Sequence, residues 1–441
     1  MDQILELVKD FIDNQSKPEW VPGEDWIQYS GPTFDSNEYV NAVQSLLEGW
    51  FILGKKGREF EYKFSKYLGK NDGILVNSGS SANLLMVSLL KTKRGGNLAK
   101  GSKFITPVVC FPTTINPLIQ NGFEPVFVDV ELPNLNLNLD QVEELLEKDT
   151  NKEIKGIIFA HVLGNPPDMD RLKEIIKKYD LIFLEDSCDA LGSTWEGEPL
   201  GSFGDVSTCS FFPAHHMTMG EGGFVATNNP SHRNALASLR DWGRACYCNA
   251  KKPGDVTCGT ACGNRFNSWF KGSKDIQYDH RYVFTEIGYN LKPTEMQASM
   301  GLAQLEKLEY LHSARKKNFQ KLTDILSKYS EYLHLPIKDE KADVSWFGYL
   351  ITLKDGAPFK KQDLVDFLEN CKIQTRSYFT GNALLHPAYS EFAKKYENPL
   401  EAFPVATKST KDTFFMGVYP GITEEQMNYI GGCIDEFFSK I

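Results

Sequence analysis

The sequence predicts an α/β protein: a large domain on a mostly parallel sheet, followed by a smaller α+β domain. Three observations predict it. From about residue 36 to 230, short β-rich runs alternate with helical patterns. Those runs are nearly continuous in apolar residues rather than alternating, the mark of strands covered on both faces. After a break in this rhythm at 243–290, a long helical pattern from Pro293 to about Tyr329 leads into a segment of mixed strand and helix patterns, 335–441. At 441 residues, 41% of them hydrophobic, the chain is long enough to bury a large core and a smaller one.

Each element has its own signal. In MDQILELVKDFIDNQ, Ile4, Leu5, Val8, Phe11 and Ile12 fall at helical spacing and predict an amphipathic helix. The same stretch is charged throughout and lacks the apolar region of a signal peptide. Residues 17–35, rich in Pro, Gly and Trp, read as an irregular arm. Strands are expected at GILVN (73–77), KFITP (103–107), PVFVDV (125–130), KGIIFAHV (155–162), LIFLED (181–186) and DVSTCSF (205–211). Helical patterns such as DMDRLKEIIKKY (168–179) lie between them. Further strands are expected near 347–353 and 372–378, and a last helix near 423–439. The domain organisation is then 1–35, N-terminal helix and arm; 36–330, large domain with a cysteine-rich insertion at 243–285; and 331–441, small domain.

Composition excludes some function classes. Net charge is −10 and no basic block or basic–aromatic stripe occurs, so no nucleic-acid partner is expected. No apolar run approaches the about 18 residues of a membrane span. A soluble, cytoplasmic protein is expected. Its nine cysteines are then core, catalytic or metal-binding residues rather than disulfides. Cys110, Cys209, Cys371 and Cys433 are scattered and read as small hydrophobes. Cys246, Cys248, Cys258 and Cys262 crowd one segment, with Cys188 alone upstream.

Three features carry chemistry in combination. Ser78-Gly79-Ser80-Ser81 follows the first strand and feeds a helix, offering free backbone N–H groups to an anion, although such turns also serve as ordinary caps. Asp186 ends the strand LIFLED, where ligands of open α/β sheets bind; a carboxylate there could hold a pyridine nitrogen or simply cap the next turn. The stretch 210-SFFPAHHMTMGEGG-223 then brings Ser210 at a strand end, His215 five residues on, and a Gly-rich turn.

With these motifs the chain resembles the sugar aminotransferase/dehydrase family of fold-type I pyridoxal phosphate (PLP) enzymes, whose fold is aspartate aminotransferase-like. The matching stretches are LEGWFILGKKGREFE (47–61), NSGSSANL (77–84), TPVVCFPTTINP (106–117), EDSCDALGS (185–193), the 210–223 stretch, IGYNLKPTEMQASMGLAQLEKLE (287–309) and TRSYFTGN (375–382). The resemblance implies that Phe111 stacks on the cofactor ring and that Ser80, Ser81 and Ser210 hold its phosphate. It further implies that Asp186 meets the pyridine nitrogen and that Asn290 reaches the phosphate across a homodimer interface. Asp189 stands where the aminotransferases carry Gln; it could orient His215 or the cofactor hydroxyl, or act as a simple cap.

One departure decides the expected reaction. The family's aminotransferases have lysine where this chain has His215. Imidazole cannot form a Schiff base with PLP, so the cofactor stays non-covalent and its useful form is pyridoxamine phosphate (PMP). His215 remains free as a base near neutral pH. His for Lys in this family marks the 3-dehydrases, which remove the carbon-3 hydroxyl of a nucleotide-linked 4-keto-6-deoxyhexose in a route to 3,6-dideoxyhexoses of surface polysaccharide such as lipopolysaccharide O-antigen.

The segment 246-CYCNAKKPGDVTCGTACGNRF-266 resembles the iron–sulfur branch, typified by the CDP-4-keto-6-deoxyglucose 3-dehydrases. That resemblance implies a [2Fe–2S] cluster on Cys188, Cys246, Cys248 and Cys262, with Cys258 the spare because the last gap is longer than usual. Electrons would come from a separate NAD(P)H-dependent flavin/iron–sulfur reductase, since no GxGxxG fingerprint is present. A local zinc site on the four downstream cysteines, or inert thiols, are the other readings. The acidic chain must meet a nucleotide diphosphate locally, with Arg376, Lys55, Lys56 and His386 as candidates and CDP favoured among CDP, TDP and GDP. His216 is expected to pack. Two rival functions stay open: an ordinary PLP-dependent nucleotide-sugar aminotransferase, and an inactive relative serving as a binding subunit.

Overall fold

The computed structural model describes residues 1–16, 18–246, 266, 270, 272–273 and 275–441. Its centre is a seven-stranded sheet. The strands are β1 (Asp72–Val76), β2 (Lys103–Pro107), β3 (Glu124–Val128), β4 (Ile154–Ala160), β5 (Ile182–Asp186), β6 (Val206–Ser210) and β7 (Gly223–Thr227). They lie in the order β1-β7-β6-β5-β4-β2-β3. Only β7 is reversed, pairing antiparallel with both β1 and β6; the other neighbours are parallel. The sheet is therefore mixed and mostly parallel, as expected. The six strands anticipated in this region are all present. β7 is the addition: FVAT follows GEGG too closely for its short apolar run to stand out beside the turn.

The apolar runs became strands because both faces are covered. All five residues of β6 and of β7 are buried, as are the last four of β5. One face packs Ile74, Val76, Phe104, Leu184 and Val225 against the helix Gly79–Leu89 and its neighbours. The other carries Ile105, Ile157, Phe159 and Phe183 into a core continuous with the small domain. A third cluster stacks Phe60 on Phe64, with Phe211 edge-on to both, directly beneath the 211–219 loop.

The small domain is a four-stranded antiparallel sheet. Its strands β8 (Leu333–His334), β9 (Gly348–Leu353), β10 (Thr375–Ser377) and β11 (Thr413–Gly417) lie in the order β8-β9-β11-β10. The helix Glu424–Phe438 covers it, opened by a Thr423/Gln426 capping box. The long helical pattern is two helices, Glu295–Glu306 and Leu308–Leu326, broken at Lys307 (φ −110°, ψ 12°). Continuous apolar periodicity hides such a break because the next helix resumes on a buried face. The N-terminal helix runs Asp2–Asp13. No helix among the described residues is long and apolar enough to cross a membrane.

Candidate active site

Strand ends and one helix start converge on a cavity of about 260 Å³. Its floor is set at the carboxyl ends of β4, β5 and β6, by Ala160, Asp186 and Ser210. One wall is the N-terminus of the helix Gly79–Leu89, capped by the Ser78 side chain accepting from Ser81 N at 3.1 Å. A Cβ on Gly79 would stand 2.4 Å from the Ser210 side chain, so glycine is what lets the helix start meet the end of β6. Positive dipole and unpaired N–H groups therefore face the cavity together with Ser80 and Ser210. Ser80 Oγ donates to Thr113 Oγ1 at 3.2 Å. Ser81 does not line the cavity; its Oγ accepts from Ser78 at 3.0 Å.

Asp186 is buried and held by three donors. Oδ2 accepts from Asn83 Nδ2 at 2.7 Å and from Thr114 Oγ1 at 2.8 Å, while Oδ1 accepts from Cys188 N at 3.1 Å. Thr208 Oγ1 in turn donates to Asn83 Oδ1 at 2.6 Å, fixing which way the amide faces. The carboxylate is thus locked at the cavity floor. Phe111, 48% exposed, flanks the cavity on one side and meets Phe379 edge-on at 5.6 Å.

His215 sits on the opposite wall. Its Nδ1 lies 3.3 Å from Asp189 Oδ1, within ion-pair distance but badly angled for a hydrogen bond. Burial pushes the Asp189 carboxyl above the usual carboxylate range, and the contact with His215 opposes that rise. The imidazole is tilted over Phe347, centroids 5.3 Å apart. Beneath the loop, buried Arg315 donates from Nη2 to His215 O (3.0 Å) and Ala214 O (3.4 Å), and from Nη1 to Phe347 O (3.2 Å) and Trp346 O (3.3 Å). Burial lowers this guanidinium to about 9, with the Asp189 charge working against the fall. His216 points away and bonds Ser345 O at 2.8 Å.

Of the residues expected from sequence, Ser80, Phe111, Asp186, Asp189, Ser210, His215, Arg376 and Cys188 line this one cavity. Lys55 and Lys56 do not, and neither does His386, whose Nε2 bonds Thr380 O at 2.8 Å. Asn290 is exposed and outside the cavity. Cys246 is half-buried at the edge of the insertion. Cys248, Cys258 and Cys262 lie outside the described residues. Among the described residues no group of three or more His, Cys, Asp or Glu is arranged to hold a metal ion.

Sequence reasoning missed Asn83, Thr114, Arg315 and Tyr29. Asn83 is one turn past Gly79, so a helix starting there could have flagged it. Arg315 shares its stripe with Leu308, Leu311, Leu322 and Leu326, all buried; a cation on an apolar stripe was a readable signal. Removing its fork should show its weight. Arg315→Met is expected to lose about 3 kcal/mol of stability in urea unfolding, because four buried carbonyls lose their donor.

A locked strand-end carboxylate, a Gly–Ser helix start and a loop ending in a Gly-rich turn, on this mostly parallel sheet, fit one class: an aspartate aminotransferase-like, fold-type I PLP enzyme. The chain belongs to the DegT/DnrJ/EryC1/StrS aminotransferase family, whose profile matches residues 33–435. It is 42% identical over 441 residues to dTDP-4-dehydro-2,6-dideoxy-D-glucose 3-dehydratase of Saccharopolyspora spinosa, covering 100% of this chain and 92% of that one. It is 40% identical over 440 residues to lipopolysaccharide biosynthesis protein RfbH of Salmonella typhimurium, covering 99% and 98%. Among solved structures it resembles a GDP-4-keto-6-deoxymannose-3-dehydratase with a trapped PLP-glutamate geminal diamine, at TM-score 0.78 and 28% identity over 92% of this chain and 99% of that one.

Proposed function

We propose that this protein is a PMP-dependent, [2Fe–2S]-containing 3-dehydrase of a nucleotide-linked 4-keto-6-deoxyhexose, CDP-4-dehydro-6-deoxyglucose first among the substrates to test. The observation that carries the reading is His215 beside Asp189 on the cavity wall; by the motif resemblance it stands where the family's aminotransferases would carry lysine.

The residues present fit the cofactor. Asp186 would meet the pyridine nitrogen, Phe111 would lie on the ring face, and Ser80, Ser210 and the helix N-terminus would hold the phosphate. Ser81, whose N is held by Ser78 Oγ and whose side chain lies outside the cavity, would support the turn rather than touch the phosphate, and Asn290, exposed in the single chain, would act from the partner in a homodimer. When bound, PMP would supply the amine that holds the keto-sugar and the electron sink that lets the carbon-3 hydroxyl leave. His215 takes the proton. Its Nδ1 is on the Asp189 side, which leaves Nε2 for the bound molecule. Asp189 steadies the imidazolium that results, and Arg315 holds the loop in place from below. Phe111, Phe212, Phe347, Phe379 and Phe415 give the cavity an apolar wall around this transfer.

Reduction needs a second centre. Cys188 is two residues beyond Asp186 and lines the same cavity. With Cys246, Cys248 and Cys262 it would hold a [2Fe–2S] cluster, which would supply one-electron transfer from a separate NAD(P)H-dependent reductase. The described neck of the insertion suits a fixed attachment: Ala245 N donates to Val283 O at 2.8 Å and Thr285 N to Gly243 O at 2.8 Å.

The test is a gain of function. His215→Lys should bind PLP covalently, turn yellow, yield a borohydride-trapped cofactor on Lys and show weak glutamate-dependent transamination. Failure to trap the cofactor would remove His215 from the lysine position. Glutamate-dependent turnover by the unaltered protein would replace this reading with an aminotransferase.

A further inference from the structure

We infer that Tyr29 and Arg376 together form the subsite for the diphosphate of the substrate, with Tyr29 as the positioning residue for the guanidinium. The inference rests on the nucleotide-sugar reading above.

Among the described residues lining the cavity, Arg376 alone carries a permanent positive charge, while Asp186 and Asp189 are both acidic. Within one chain, a doubly charged diphosphate entering this site therefore meets one side-chain cation among the described lining residues. Arg376 lies in β10 and pairs with Phe415 of β11, so the two side chains share a face of the small sheet. Its guanidinium spends Nη1 on Thr375 O at 2.7 Å and reaches the Gln374 side chain from Nη2 at 3.4 Å. An arginine has five N–H donors, so a fork remains for an anion.

An exposed arginine on an edge strand would ordinarily sample many rotamers. Here the N-terminal arm restrains it. Ile27 pairs with the chain beside β10: its N donates to Lys372 O at 2.7 Å and its O accepts from Gln374 N at 3.0 Å. Tyr29 N then donates to Gln374 Oε1 at 3.3 Å. A Cβ on Gly417 would stand 2.2 Å from Tyr29 O, so the arm seats directly on the backbone of β11. The arm is thereby fixed, and the Tyr29 ring is fixed with it. The ring meets Phe415 edge-on at 5.9 Å, and the Arg376 guanidinium lies 4.2 Å from its centroid. Stacking on an aromatic face leaves the edge of the guanidinium, where its N–H groups are, free to turn to the cavity. Residues 29 and 376 are far apart in sequence, and only the arm's path brings them together.

The experiment titrates the purified protein with CDP, dTDP and GDP, and with the corresponding monophosphates, by calorimetry. For at least one base the diphosphate should bind about tenfold or more tightly than the monophosphate. Arg376→Ala should abolish that preference. Tyr29→Ala should weaken diphosphate binding about tenfold, and Tyr29→Phe, which keeps the ring, should restore it to within about threefold of the original. In turnover, Tyr29→Ala should raise KM by a similar factor with a much smaller change in kcat. Diphosphate binding by Tyr29→Ala as tight as before, or Tyr29→Phe as damaging as Tyr29→Ala, overturns the inference; so does a fall in kcat at constant KM. The titrations need no turnover and no His215, so failure of the dehydration reading would leave them readable on their own.

Discussion

His215→Asn is expected to retain PMP and lose dehydration. Asparagine occupies similar volume on the cavity wall but carries no titratable nitrogen, so the proton-transfer step loses its base. Removal of such a group costs about 10²–10⁴-fold in rate. The cradle itself should survive, because Asp186 is locked by Asn83, Thr114 and Cys188 N, none of which touches the His215 side chain. Two measurements on one preparation separate these parts: absorbance titration with PMP, and loss of the carbon-3 hydroxyl from the nucleotide-linked 4-keto-sugar. Tight PMP binding with elimination down at least a hundredfold is the expected pair. Near-normal elimination would show that another group takes the proton.

Cys188→Ser should divide the proposed reaction at its midpoint. The variant is expected to lose the visible absorption of a [2Fe–2S] cluster and the paramagnetic signal of its reduced form. Net formation of 3-deoxy sugar with a reductase and NADH should collapse. Elimination calls only on PMP and His215 and should persist, read as exchange of heavy oxygen from labelled water into carbon 3. Because Cys188 N donates to Asp186 Oδ1, PMP binding is measured alongside as a control for local damage. Full metal content and full coupled turnover would instead assign the metal to the downstream cysteines alone, as a structural site.

Much of this site could be read from the chain because its parts are local. A strand followed by Gly and Ser and then a helix makes an anion site from a few consecutive residues, whatever surrounds it. Asp186, Cys188 and Asp189 belong to one strand end, and Ser210 and His215 to one strand and loop. Distance in sequence does not enter. Asn83 and Thr114 escaped because each is an unremarkable helical residue until folding sets it against Asp186. Lys55, Lys56 and His386 lie away from the cavity for the converse reason: a basic residue in the sequence says nothing about which way its side chain faces.

By itself the sequence determined the α/β class, six of the seven strands of the central sheet, the Gly–Ser turn that opens a helix and the carboxylate that ends β5. Each is written in apolar periodicity, in turn chemistry or in the identity of a single residue, and none needs a distant partner. Tertiary structure alone decided that β7 inserts reversed between β1 and β6, that Arg315 ties the His215 loop to the chain just before β9, and that the arm carries Tyr29 onto Arg376. These depend on contacts between segments up to several hundred residues apart. Such contacts are selected by how whole faces pack, and no local pattern records them.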